Sequence, residues 1–253
     1  MIVYVNGCSY AAASDGKRYS ELLAESLGCR SINASISGSS NDRILRCSLR
    51  DLINLKKQHN DIVAVISLSF ILRTEVWDHD PTRQDQWKNS GDGDFISYQF
   101  AETKNWFDNI SSDIFDPSYI PKKYYDYGVN WLTWFDIEAE TTKLLQQILL
   151  FTHWCKYNNI KYVIFSGPLQ EPVSFDAPFI SPFYEQLQLD SNVIDIFKYS
   201  FTEWCITRGY EPIDECTMTM TIHDKTYNCG HHGEAAHRAW ADYLLKNHLG
   251  NLV

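Results

Sequence analysis

Short apolar runs alternate with amphipathic stretches along much of this chain. Residues 2–5, Ile2-Val3-Tyr4-Val5, form an apolar run that ends at Asn6-Gly7, a turn signal. Tyr19, Leu22, Leu23 and Leu27 then recur at helical spacing, and Gly28 follows as a stop. Residues 31–34 read as a second short strand. Asn41 or Asp42 caps a helix whose apolar face is Ile44, Leu45, Leu49, Leu52 and Ile53. Residues 61–68 hold the continuous run Ile62-Val63-Ala64-Val65-Ile66, which suits a parallel strand covered on both faces. Further on, the pattern predicts a helix over 137–157, a buried strand over 160–165, a helix over 192–209 and a last helix over 234–247. Strands alternating with helices predict one α/β domain over residues 1–253, a three-layer α/β/α sandwich around a parallel, flavodoxin-like sheet.

The alternation breaks between residues 75 and 130. That stretch mixes Asp, Asn, Ser, Gly and Pro with aromatics, and is too long for an ordinary connection. It reads as a functional insertion that packs over the carboxyl ends of the strands and walls a site. Trp77, Trp87, Trp106, Trp131, Trp134, Tyr98, Tyr119, Tyr124, Tyr125 and Tyr127 lie in or just beyond it. Such side chains either line a recognition surface or form a small satellite core.

Composition narrows the function classes. A net charge of -10 repels phosphate backbones and anionic lipid, so neither nucleic acid nor membrane is expected as a partner. No run approaches the roughly 20 apolar residues that span a bilayer. A strand beginning at residue 2 leaves no room for a signal peptide, so a cytoplasmic location is expected. The seven cysteines are widely spaced with no Cys-x-x-Cys pair, and free buried thiols are expected.

Three segments carry candidate chemistry. Val5-Asn6-Gly7-Cys8-Ser9-Tyr10 follows the first strand, where an α/β sheet binds its ligands. Ser9 is a candidate nucleophile there, or simply a helix cap. Asn33-Ala34-Ser35-Ile36-Ser37-Gly38-Ser39-Ser40-Asn41-Asp42 follows the second strand, and Gly38 would let backbone approach a ligand. Asn228-Cys229-Gly230-His231-His232-Gly233 runs into the last helix and lets the His231 imidazole reach across the strand ends. His237, within that helix, reads as a hydrogen-bonded packing residue. His232 reads as surface or as support behind the site.

Taken in order, these segments resemble the blocks of the SGNH, or GDSL, hydrolases. Gly7-Cys8-Ser9 is similar to the family's Gly-Asp-Ser, Gly38 to its second-block glycine, and Asn228-x-x-His231 to its Asp-x-x-His. Asn33, Ser35, Gly38 and Asn41 resemble the second block of small GDSL-like proteins often found in phages and bacteria, and the resemblance makes Gly38 and Asn41 candidate oxyanion- or substrate-binding residues. The resemblance implies an SGNH-hydrolase-like fold and a serine hydrolase or acyltransferase acting on an ester, with Ser9 as nucleophile, His231 as base and no cofactor. The substrate would be a small-molecule or glycan ester. Two family residues are missing. The third-block Asn has no counterpart in Ser67-Leu68-Ser69-Phe70-Ile71-Leu72-Arg73, where Ser69 could donate to the oxyanion and Arg73 could supply charge. Asn228 stands at the triad Asp, and Asp224 or Asp214 are alternatives to it.

Other readings stay open on the sequence alone. Cys216, His223, Cys229, His231, His232 and His237 offer zinc-ligand chemistry, though without a common ligand spacing. Cys8 is a second possible nucleophile, expected instead to point inward and stay inert. A catalytically degenerate binding protein on the same fold is the alternative from a different class.

Overall fold

A computed structural model describes residues 1–12, 15–77, 95–99, 127, 130–131, 133–170, 175, 178–213, 219–222, 225–228 and 231–250. Four parallel strands form the sheet: β1 (Ile2–Gly7), β2 (Arg30–Asn33), β3 (Ile62–Leu68) and β6 (Lys161–Ser166), in the order β2-β1-β3-β6. Two parallel bridges, Ile164 to Val193 and Ser166 to Ser200, extend it past β6. The chain leaves β1 for β2 on one side and returns to β3 on the other. The order therefore reverses between β1 and β3, and loops beyond their carboxyl ends flank a crevice.

Helices cover both faces. Helices α2 (Tyr19–Ser26) and α7 (Glu234–Asn247) lie together on one side. Helices α3 (Asn41–Lys56) and α4 (Ile137–Tyr157) lie on the other, with α5 (Ser181–Gln188) against α4. β1 and β3 are buried along their whole lengths, as a sheet sandwiched between helices requires. An aromatic cluster fixes the α2/α7 layer. Phe165 on β6 meets Trp240 at 5.0 Å and Tyr19 at 5.8 Å, while Phe201 on α6 (Phe201–Ile206) lies 5.6 Å from Trp240. Each such ring pair adds about 0.5–1.5 kcal/mol beyond its burial. Among the described residues, four further strands pair antiparallel: β4 (Arg73–Trp77) with β5 (Phe95–Gln99), and β7 (Thr219–Ile222) with β8 (Lys225–Asn228).

The three-layer parallel sandwich expected from the alternation is present. Three local expectations need correction. β1 runs through Asn6-Gly7 instead of turning there, because the buried Asn6 amide donates to the Ile44 carbonyl and to Ser48 Oγ, both at 3.0 Å. The cap of α3 is Ser40, whose Oγ accepts from the Arg43 N–H at 3.2 Å. The helix expected over 192–209 is helical only over Phe201–Ile206. Upstream, Asp190 and Asp195 side chains accept from the backbone N–H groups of Asn192, Phe197 and Lys198 and hold turns beside β6.

Most of the insertion, residues 78–94 and 100–126, lies outside the described residues, and so does the expectation that it walls the site. Its flanking strand β4 packs on α3, where Arg46 grips Glu75 through two bonds of 2.7 and 2.9 Å. Among the described residues no helix is long and apolar enough to cross a membrane. Cys8, Cys47, Cys155 and Cys205 are free and buried, and Cys29 is free and half-buried. Burial pushes the Cys155 thiol up to about 12, so it stays protonated and unreactive. Cys216 and Cys229 lie outside the description.

Candidate active site at the β1/β3 switch point

β1 and β3 run in register to their ends, with Gly7 opposite Ser67. The approach there is close. A Cβ on Gly7 would stand 2.8 Å from both the Ser67 Cβ and its carbonyl oxygen, and 3.0 Å from the Ala11 Cβ. Glycine is what lets the two strands stay this close through their last residues. The Cys8 carbonyl accepts from Ala11 and Ala12, winding the chain into the short helix α1 (Ser9–Ala12). Cys8 is fully enclosed, as expected of a thiol pointing inward, and Ser9 keeps 9% of its surface.

The second block stays alongside β1. Ala34 N–H donates to the Val5 carbonyl at 2.8 Å and Ile36 N–H to the Gly7 carbonyl at 3.2 Å, so pairing continues past β2. The chain then turns, with Ser39 N–H on the Ile36 carbonyl and Gly38 at φ +81°. A positive φ at the third residue marks a type II turn and favours glycine. The N–H groups of Ser9 and Gly38 donate to no partner among the described residues. Asn33, ending β2, donates to the Ala11 carbonyl at 3.0 Å and to Ser20 Oγ at 3.2 Å, tying this loop to α1.

Asn41 faces a different partner. Its Nδ2 donates to the Ser69 carbonyl at 3.0 Å, and its Oδ1 accepts the Ser69 N–H at 2.7 Å. The amide is thus committed to the turn after β3. On that turn Arg73 donates from a terminal guanidinium nitrogen to Ser69 Oγ at 2.7 Å and stacks on Phe70 at 5.0 Å. Ser69 is fully enclosed and Arg73 keeps 7% of its surface. Gln170, to which the sequence offers no pointer, closes the cluster from the loop after β6. It donates to the Ser69 carbonyl at 2.8 Å and accepts from Ile71 N–H at 3.2 Å.

The histidine segment arrives from the far end of the chain. The His231 ring stands 5.5 Å from the Tyr10 ring, and on another side of Tyr10 lies Phe70 at 6.2 Å. Tyr10, next to Ser9, is therefore the side chain on which the Ser9 turn, the turn after β3 and the His231 segment meet. The segment is latched in place by crossed bonds. Asp15 Oδ1 accepts the Glu234 N–H at 2.8 Å at the start of α7, and Glu234 Oε2 accepts the Lys17 N–H at 3.0 Å. A carboxylate on a helix N-terminus is favourable. Asn228 ends β8, where its backbone pairs with Thr219; its side chain, with Asp214 and Asp224, lies outside the described residues.

His237 and His232 are packing groups. His237 is buried, accepts the Tyr19 N–H on Nδ1 at 3.3 Å and lies 5.1 Å from Phe201. His232 is not on the surface: it is fully buried, edge-on to Phe201 at 5.4 Å. Among the described residues no three His, Cys, Asp or Glu side chains group as metal ligands would. Cys216, His223 and Cys229 are outside that description.

No curated protein matches the sequence. Several solved structures are similar in outline. A protein assigned to the G-D-S-L family of lipolytic proteins, from Desulfitobacterium hafniense DCB-2, shares 10% identity at a TM-score of 0.40, over 100% of this chain and 99% of its own. An acetyl xylan esterase shares 13% at 0.44, over 97% and 98%. An α/β hydrolase enzyme from the metagenome of Lake Arreo, Spain, shares 13% at 0.44, over 100% and 96%. The model of a family of unknown function, DUF6071, matches residues 9–202, from the candidate nucleophile to the start of α6. With most of its length inside that match, the chain belongs to the DUF6071 family.

Proposed function

We propose that the protein is an SGNH-type serine hydrolase, or an acyltransferase of the same chemistry, acting on an ester. The observation that carries this reading is the meeting at Tyr10 of the Ser9 turn, the β3 turn and the His231 ring. Residues from opposite ends of the chain converge at the switch point, where open α/β sheets bind ligands. Ser9 attacks the ester carbonyl while His231 takes its proton. His231 then protonates the leaving alcohol, and an acyl-enzyme remains on Ser9 Oγ. Water, or an acceptor hydroxyl, releases it with His231 again as base.

The oxyanion would meet the N–H groups of Ser9 and Gly38. Ser69 serves in place of the missing family Asn. Its Oγ accepts from Arg73, which leaves its own proton to donate and polarises the hydroxyl towards doing so. Asn41 acts one step back, holding the Ser69 backbone. Asn228 is assigned to the second ring nitrogen of His231, fixing its tautomer. A small-molecule or glycan ester remains the substrate class.

The second reading, a non-catalytic binder, is favoured by the complete enclosure of Ser69. Two assays on the purified protein separate them: hydrolysis of a short-chain aryl ester, and labelling by a fluorophosphonate. The hydrolase reading expects both, and the binder reading expects neither.

A further inference from the structure

We infer that Gln170 is a positioning residue for the oxyanion side of this site; the inference rests on the hydrolase reading above. Gln170 lies past the end of β6 and is 6% exposed. Its amide makes three bonds to two different strand ends. Nε2 donates to the Ser69 carbonyl at 2.8 Å and to Ser166 Oγ at 2.6 Å, and Oε1 accepts the Ile71 N–H at 3.2 Å. Ser166 is the last residue of β6, and its Oγ donates onward to the Pro168 carbonyl at 2.5 Å. That direction forces the Ser166 oxygen to be an acceptor towards Gln170.

The Ser69 carbonyl thus receives two amides, Asn41 from α3 and Gln170 from the β6 loop. Between them they pin the turn that presents Ser69 Oγ and Arg73. Neither amide touches Ser69 Oγ, which is left to Arg73. Only a neutral carboxamide satisfies all three Gln170 bonds, because two partners need a donor and one needs an acceptor. A carboxylate of the same shape would oppose a carbonyl oxygen and a hydroxyl oxygen that has already given its proton away. The turn would move, and the Ser69 donor with it. Its interaction with the oxyanion exists only in the transition state, so the loss belongs in kcat and not in KM.

The test compares wild type, Gln170→Glu and Gln170→Met in two measurements. The first is kcat and KM on an aryl ester. The second is amide hydrogen exchange across residues 69–73, which needs no activity. The expected result is a kcat at least about tenfold lower in Gln170→Glu, up to the roughly 10²–10³ that loss of an oxyanion donor costs. KM should stay within about twofold, and exchange should quicken at Ile71 in both variants. Folded, active variants with wild-type kcat overturn the positioning role. Unchanged exchange at residues 69–73 overturns the clamp itself. A wild-type protein inert to ester and fluorophosphonate, with exchange still quickened in the variants, overturns the hydrolase reading and the positioning role assigned to Gln170 while sustaining the clamp.

Discussion

The His231 imidazole and the Tyr10 ring lie 5.5 Å apart at an angle of 60°, joining residues that are 221 positions apart in the chain. Tyr10 is 2% exposed, so this contact is part of the core and also borders the site. Replacing it with alanine should remove the wall against which His231 is set. Tyr10→Ala is expected to destabilise by about 3–5 kcal/mol, the range for truncating a buried aromatic. Urea denaturation checks this. Fluorophosphonate labelling of the fraction that remains folded should also slow, since the base has lost its support.

The crossed bonds between Asp15, Lys17 and Glu234 hold the start of α7, three residues past His231. Loss of a cap of this kind costs about 0.5–2 kcal/mol, so Asp15→Ala should lower stability by that amount and reduce turnover. The latch is also sensitive to acid. The Lys17 N–H and the Arg238 side chain hold the Glu234 carboxyl below the usual range. A carboxyl depressed in the folded state stabilises above its ordinary value of about 4.3. That stabilisation is lost as pH falls through the depressed value. Exchange of the Lys17 amide, which that carboxylate holds, should therefore rise below about pH 4, and Glu234→Gln should weaken that dependence.

Arg73 and Ser69 act as one coupled pair, joined by the bond from the guanidinium to the Ser69 hydroxyl. Ser69→Ala should lower kcat by about 10²–10³ with little change in KM. Arg73→Met should do nearly as much, because it acts through the same hydroxyl. The double variant should be little worse than Ser69→Ala alone, whereas independent roles would multiply. Steady-state kinetics on an aryl ester decides between these outcomes.

The sequence spelled out the sheet and its helices where apolar periodicity alone decides structure. The runs at 62–68 and 234–247 could be read to within a residue, because one period dominates each. It misled wherever a polar side chain is satisfied internally. Asn6-Gly7 looks like a turn until Ile44 and Ser48 take up the Asn6 amide. Residues 192–200 carry helical spacing, yet Asp190 and Asp195 bond backbone N–H groups and spoil the helix. The order of the three blocks pointed to Ser9, Gly38 and His231. No pattern in the sequence marks Gln170 or Tyr10, whose roles come from partners distant in the chain, Ser69 and Ile71 for the one and Phe70 and His231 for the other. His232 was unreadable for a related reason: whether a histidine beside a helix is buried depends on Phe201, in another element.

The central claim is that Ser9 becomes acylated with His231 as its base. Intact mass followed by peptide mapping after fluorophosphonate treatment tests it most directly. The account predicts one adduct, on Ser9, in wild type. It predicts none in Ser9→Ala and strongly slowed labelling in His231→Ala. With the ester, the double variant should be little worse than either single one, as expected for residues acting as a unit. An adduct on another residue, or ester turnover that persists in a folded Ser9→Ala protein, would contradict the account.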